Sequence, residues 1–303
     1  MLATSEGHLT NAIYPHQSLL GDHTEKEHLV EVTPPSHNNP GLQWCSTEKP
    51  TPHKAVDLNN TSLNHYYRNL LIEGGYYIPL GCVSRHKVAI IVPFRDRQFH
   101  LHSFLNVMHP FLIDQKLAYR IFVIEQNGKG LFNRGGLLNV GFLEAKKYSN
   151  WDCMVFHDVD LLPINKEIPY SCPNWPRHMC STVVKGNKIS KAHTFFGGVS
   201  SMTVNHFQKV NGFSNMYWGW GGEDSDIFLR LRAVGIPIVR YNKAIGKYLS
   251  LSHVQNTANP NRHDLLKTAV DRYLTDGLSS LNYKVISATN RLLYTHIKVE
   301  IGF

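Results

Sequence analysis

Between residues 87 and 157 the chain alternates short, wholly apolar runs with longer stretches whose apolar residues recur at helical spacing. Val88-Ala89-Ile90-Ile91-Val92 closes on Pro93, Ile121-Phe122-Val123-Ile124 comes next, and Met154-Val155-Phe156 is the third run. A run that is apolar at every position reads as a strand buried on both faces. Residues 99–112 and 137–148 read as the helices between them. Strands alternating with helices predict an α/β domain with a mixed, mostly parallel sheet. Further on, residues 224–234 and 265–274 read as helices, and 282–286 and 294–301 as late strands.

Sheets of this kind bind ligands beyond the carboxyl ends of their strands. Pro93-Phe94-Arg95 and Asp158-Val159-Asp160 both follow apolar runs, which places them at one site. Two carboxylates at a strand end suit a hard divalent cation. Arg95, Arg97 and Arg134 are suited to pairing with a diphosphate; each otherwise reads as a surface ion pair.

The densest chemical signal is Trp218-Gly219-Trp220-Gly221-Gly222-Glu223-Asp224-Ser225-Asp226. Its glycines allow close approach to a ligand and hinge motion. Its indoles offer flat apolar surface of the kind that stacks on sugar rings, and its carboxylates offer a general base. Glu223 and Asp224 fall at a predicted helix N-terminus, where a structural capping role is the alternative. A metal-and-diphosphate motif together with a base beside a sugar platform points to glycosyl transfer from a nucleotide sugar.

The 303 residues suffice for one large domain or two small ones, and the 42% hydrophobic content is ordinary for a globular chain. Residues 1–60 differ, being rich in His, Thr, Asn, Pro and Ser. They are read as a flexible stem-like segment before a catalytic domain at 61–303. The net charge of +8 is scattered, with no Lys/Arg block longer than two, so no nucleic-acid partner is expected. No apolar run reaches 18 residues and no secretory apolar stretch follows Met1. Cys45, Cys82, Cys153, Cys172 and Cys180 contain no CxxC pair. Two disulfides and one free thiol fit an oxidising compartment, and five buried thiols are the alternative. Asn59-Asn60-Thr61-Ser62 holds two overlapping sequons, so Asn59 or Asn60 is a candidate glycosylation site.

From about Gly75 onward the chain resembles the β-1,4-galactosyltransferases. The resemblance rests on Val92-Pro93-Phe94-Arg95-Asp96-Arg97, Phe132-Asn133-Arg134, Leu138-Asn139-Val140-Gly141-Phe142, Asp158-Val159-Asp160, Phe196-Gly197-Gly198-Val199-Ser200 and the Trp218 block, in that order. Gly246-Lys247-Tyr248-x-Ser250-x-x-His253 is similar to the lactosylceramide-synthase branch. The resemblance implies a GT-A type fold and inverting transfer of galactose from UDP-galactose. The acceptor it implies is the 4-OH of a terminal GlcNAc or glucose, on a glycoprotein or glycolipid. It also implies Mn²⁺ and a Golgi-luminal, type II membrane protein, of which this chain would lack the N-terminal anchor. The alternatives are β-1,4 transfer of GalNAc from UDP-GalNAc, and an inactive sugar-binding relative.

Residue by residue, the resemblance implies Asp224 as base, with Glu223 holding sugar hydroxyls. It implies a donor site of Pro93, Phe94, Arg95, Arg97, Phe132, Arg134, Asp158, Val159, Gly198 and Trp220, with Trp220 on a mobile loop. Phe195, Trp220, Glu223, Asp224 and Arg262 would meet the acceptor, beneath a second mobile segment at 251–271. Asp160 and His253 would ligate the metal, with Ser250 where many members carry methionine. The implied disulfides are Cys45–Cys82 and Cys153–Cys172. Phe195, a bulky ring where smaller residues accompany GalNAc transfer, favours galactose. Residues 185–193 depart from the family's more aromatic acceptor loop.

Overall fold

A computed structural model describes residues 42–46, 67–186, 188–191, 195–254 and 256–302, with 188–191 described in backbone only. The sequons and all but 42–46 of the stem-like segment lie outside the described residues. The chain runs β1 (Lys87–Phe94), α1 (Gln98–Asp114), β2 (Ala118–Gln126), α2 (Arg134–Ala145), β3 (Cys153–His157), β4 (Leu161–Pro163), β5 (Arg177–His178), β6 (Thr182–Lys185), β7 (Lys188–Lys191) and β8 (Val199–Thr203). It continues with α3 (Val204–Lys209), α4 (Glu223–Ala233), β9 (Val239–Arg240), β10 (Lys247–Ser250), α5 (Arg262–Lys267), α6 (Ala269–Arg272), β11 (Tyr283–Asn290) and β12 (Thr295–Ile301).

Eight strands form one sheet in the order β11-β12-β2-β1-β3-β8-β5-β9. Its centre, β12-β2-β1-β3, is parallel throughout, while β8 runs antiparallel to both β3 and β5. The uninterrupted apolar run of β1 explains its central place. Val88, Ile90 and Val92 enter the core on one face, and Ala89 and Ile91 that on the other. Neither face can meet water without exposing branched aliphatic surface. A glycine lets α2 lie close against this sheet: a Cβ on Gly141 would stand 2.2 Å from Ile91 Cγ2.

Helix α2 begins at Arg134, earlier than the expected residue 137, because Asn133 caps it by accepting from the Gly136 amide at 2.8 Å. The expected helix over 265–274 is instead two short helices broken at Thr268. The Arg272 guanidinium and the Thr268 hydroxyl both donate to the Leu265 carbonyl, at 2.8 and 3.2 Å, satisfying an acceptor that a continuous helix would have used. A second sheet, β4-β10-β6-β7, was not foreseen. Its strands are too short to show a period of two.

Disulfides join Cys45 to Cys82 and Cys153 to Cys172, and Cys180 is a buried free thiol. Among the described residues no helix is long and apolar enough to cross a membrane.

Candidate functional site

Parallel pairing of β1 with β3 puts their carboxyl ends side by side, so the segments following Phe94 and His157 emerge at one edge. The antiparallel strand β8 then brings in Gly197-Gly198, since His157 pairs with Val199 and the Asp158 amide donates to the Gly198 carbonyl at 2.9 Å. Gly198 has φ +69°, and Gly197 lies so close to the Asp224 carboxylate that a Cβ would fall 1.8 Å from Oδ2. Any side chain there would displace that carboxylate. Gly197 was not singled out from sequence, although the glycine doublet was its signal.

Arg134, at the start of α2, gathers the acids. Its Nε donates to Asp158 Oδ1 at 2.6 Å and its Nη1 to Asp224 Oδ1 at 2.6 Å, with Glu223 Oε1 3.4 Å away. Burial lowers the Arg134 pKa, but the charges of Asp158, Asp224 and Glu223 outweigh it and hold the guanidinium protonated above its ordinary range. The Asp224 pKa is raised: burial pushes it up by more than the Arg134 charge pulls it down, and the Asp158 charge adds to the rise. Burial and then the Asp224 charge push Glu223 up to about 8. Glu223 Oε2 is buried without a hydrogen-bond partner, a polar atom left for a ligand hydroxyl. Gly222 is the N-cap of α4 and makes no side-chain cap bond; Glu223 and Asp224 turn to Arg134 rather than cap the helix.

Asp160 lies on the far side of this turn. Its Oδ2 is 3.1 Å from His253 Nε2, and its Oδ1 is 3.8 Å from Arg97 Nη1. Strand β10 sets Ser250 opposite Leu161, and the Leu251 amide donates to the Asp160 carbonyl at 2.8 Å. Among the described residues no three His, Cys, Asp or Glu side chains form a metal-holding group. A carboxylate and an imidazole aimed at each other can still share one divalent cation whose other positions are filled by a ligand's oxygens. Burial and then the Asp158 charge raise the Asp160 pKa, while His253 and Arg97 lower it.

Beside these acids opens a cleft of about 430 Å³ lined by Arg95, Lys129, Gly130, Leu131, Phe132, Gly219, Asn256 and Thr257. Arg95 lies over the Phe132 ring at 5.3 Å and donates to the Gly130 carbonyl at 2.7 Å. A flat face with a cation at its rim suits a nucleobase. Lys129 and Leu131 carry no sequence motif; Asn256 and Thr257 lie in the segment 251–271 expected to be mobile.

Trp220 is half exposed. Its amide donates to the Thr257 carbonyl at 2.8 Å and its carbonyl accepts from Asn259 at 2.9 Å. Arg262 lies 6.0 Å from the indole centroid. The Trp220 loop and the segment at 257–262 are therefore tied together. Phe195 lies four residues before β8, its ring 5.4 Å from that of His178 and its carbonyl accepting from Arg240 at 3.1 Å. Pro93, Phe94 and Val159 are buried where β1 and β3 end.

Residues 45–173 match the family model described as the N-terminal region of glycosyl transferase group 7, and 177–254 that described as the N-terminal domain of galactosyltransferase. The chain is 46% identical over 232 residues to beta-1,4-galactosyltransferase 1 of Bos taurus, covering 76% of this chain and 58% of that protein. It is 45% identical over 240 residues to beta-1,4-galactosyltransferase 3 of Cricetulus griseus, covering 78% and 61%. It thus spans about three fifths of the length of these curated relatives. The solved catalytic domain of Drosophila beta-1,4-galactosyltransferase 7, in complex with xylobiose, superposes with a TM-score of 0.63 at 30% identity, over 72% of this chain and 95% of that one. That match makes the fold GT-A-like. With motifs, fold and relatives in agreement, the chain belongs to the β-1,4-galactosyltransferase family.

Proposed function

We propose that this chain is the catalytic part of a metal-dependent, inverting galactosyltransferase. It would move galactose from UDP-galactose to the 4-OH of a terminal GlcNAc or glucose on a glycoprotein or glycolipid. The observation that carries this reading is the convergence of Asp158, Glu223 and Asp224 on the single guanidinium of Arg134. A cleft suited to a nucleobase and the Asp160–His253 pair accompany it. A mutant of the Drosophila relative, 29% identical, was solved in complex with manganese, UDP-Gal and xylobiose, which supports the choice of donor and metal.

In this proposal Asp224 takes the proton of the acceptor hydroxyl as its oxygen bonds to the anomeric carbon. The bond from that carbon to the diphosphate breaks, and UDP leaves with the electron pair. Arg134 opposes the upward push of burial on the Asp224 pKa and orients its carboxylate, and Glu223 holds sugar hydroxyls through Oε2. Arg95 and Phe132 hold the uridine. Asp160 and His253, with Ser250 beside them, would hold Mn²⁺, which screens the diphosphate and stabilises the departing UDP. Trp220 and the segment tied to it would exclude water from the donor.

We also propose the finer placement in the lactosylceramide-synthase branch, supported by residues 246–253. The same reading takes residues 1–60 as a stem and 61–303 as the catalytic domain. It places the protein in the Golgi lumen, held to the membrane through an N-terminal anchor. The test is a screen of UDP-Gal and UDP-GalNAc against GlcNAc-terminated glycoprotein and glucose-terminated glycolipid, with Mn²⁺ and with EDTA. Mn²⁺-dependent galactose transfer is expected, with preference for the glycolipid if the branch is right. Donor binding without transfer to either acceptor would leave a sugar-binding relative instead.

A further inference from the structure

His253 Nδ1 has two partners, and they demand opposite things of it. Arg97 Nη2 lies 3.0 Å away and can only donate, so this contact requires a lone pair on Nδ1. The Val254 carbonyl lies 2.9 Å away and can only accept, so that contact requires a proton on Nδ1. A neutral imidazole satisfies one at a time. With Arg97 engaged, the ring proton sits on Nε2 and points at Asp160 Oδ2, 3.1 Å away. With Val254 engaged, the proton sits on Nδ1, and Nε2 presents a lone pair to the same place. Only the second arrangement can ligate a cation between His253 and Asp160.

Arg97 is well placed to favour the first. Its other nitrogen, Nη1, lies 3.8 Å from Asp160 Oδ1, so one guanidinium spans both members of the pair. Its side chain is 22% exposed, against 13% for Asp160, which limits screening by water. His100 supports the segment from the other side, 3.1 Å from the Ser252 carbonyl and with its ring 6.2 Å from that of His253.

We propose that Arg97 is a resident counter-cation of the metal site. In the metal-free protein it neutralises Asp160 and locks His253 in the Nε2–H tautomer. Metal entry then requires the ring proton to move from Nε2 to Nδ1, where the Val254 carbonyl accepts its hydrogen bond, with no change in the ring's proton count. Arg97 is thereby released toward the donor diphosphate. Metal binding and donor binding become coupled through one side chain, a reciprocal linkage. This inference rests on the metal reading of Asp160 and His253 proposed above.

The test compares wild type with Arg97→Gln, both without nucleotide. Mn²⁺ uptake is measured calorimetrically, and the His253 tautomer by ¹⁵N NMR with and without Mg²⁺, with Asp160→Asn as the metal-site control. Arg97→Gln is expected to bind Mn²⁺ about tenfold or more tightly, as loss of a competing neighbouring charge implies. In metal-free wild type His253 should be the Nε2–H tautomer, moving to Nδ1–H on adding Mg²⁺. Equal Mn²⁺ affinity in wild type and Arg97→Gln overturns the role of Arg97 alone. Uptake by neither, or undiminished uptake by Asp160→Asn, overturns the metal site and this proposal with it. If Arg97→Gln fails to fold, the wild-type spectrum decides, since an Nδ1–H tautomer in the metal-free protein is fatal to the idea.

Discussion

Arg134 and Asp224 meet at 2.6 Å, although they lie 90 positions apart in the chain. The contact joins the first residue of α2 to the first turn of α4, and it places the proposed base against a guanidinium also held by Asp158 at 2.6 Å. Removing the arginine would strand three carboxylates in one pocket. Arg134→Met is expected to lose about 3–5 kcal/mol of stability, the usual cost of breaking a buried ion pair from one side. Transfer should fall by about 100-fold or more as the base loses its orientation. Arg134→Lys keeps the charge but not the fork, and should fall between the two. Urea unfolding and initial rates give both readouts; an Arg134→Met midpoint equal to that of wild type would rule out the neutralising role.

Asp160 supports a second expectation. Its carboxylate and the His253 imidazole face each other at 3.1 Å. Asp160→Asn keeps the shape but removes the charge that would hold Mn²⁺, so metal-dependent transfer should vanish while the far-UV dichroism and unfolding midpoint stay close to wild type. Full wild-type activity in excess EDTA would refute the metal role.

The strands and helices of the central sheet were legible because their side-chain periods are long and unbroken. The doubly buried run at Val88–Val92 could be little else. The break at Thr268 was not legible, because it depends on Arg272 reaching the Leu265 carbonyl, a tertiary contact that leaves no local pattern. The same holds for the second sheet, whose β4 and β10 have three and four residues. Within the site, Asp158, Asp160, Glu223 and Asp224 stood out as acids in motifs. That Arg134 is the group on which three of them converge, or that Gly197 leaves room for Asp224, follows only from the approach of β8 and α4 to α2.

Glu223 carries a pH dependence. Burial and the Asp224 charge raise its pKa from an ordinary 4.5 to about 8. The unfolded chain ionises this group near pH 4.5 and the folded protein only near pH 8. Its contribution to stability is therefore full below 4.5 and is lost as pH rises through 8. Glutamine never ionises, so the stability of Glu223→Gln relative to wild type should grow across this window, reaching at most about 5 kcal/mol at its upper end. Paired thermal melts at several pH values measure it, and a constant difference would show that Glu223 is already ionised in the fold.

The cysteines should separate cleanly by alkylation. Cys180 is buried, and burial pushes its thiol up to about 12, which leaves it unreactive while the protein is folded. Native protein should take up no iodoacetamide at Cys180, and unfolding without reductant should expose one thiol per chain. Breaking Cys153–Cys172, which spans 19 residues, should cost about 3 kcal/mol on chain-entropy grounds. Peptide mapping that finds more than one alkylated cysteine in unreduced, unfolded material would contradict these pairings.

Phe195 bears on the choice of donor. It precedes Phe196, whose amide donates to the Asp224 carbonyl at 3.0 Å, so its backbone adjoins the N-terminal turn of α4. His178 packs against the Phe195 ring at 5.4 Å, and Arg240 holds its carbonyl, limiting how far it can move aside. If Phe195 matches the family's donor-selecting position, its ring takes up space that an N-acetyl group on the donor sugar would need. Wild type should therefore prefer UDP-Gal, and Phe195→Leu should raise GalNAc transfer relative to Gal by relieving the conflict. A pocket that gains a few methylene volumes shifts such a ratio by about 10–200-fold. The substitution adds no polar group, so the change should appear in the donor ratio rather than in stability. The measurement is kcat/KM for both donors in both proteins, with one acceptor and fixed Mn²⁺. A ratio unmoved by the substitution would make Phe195 a packing residue, and a wild-type preference for UDP-GalNAc would move the assignment to GalNAc transfer.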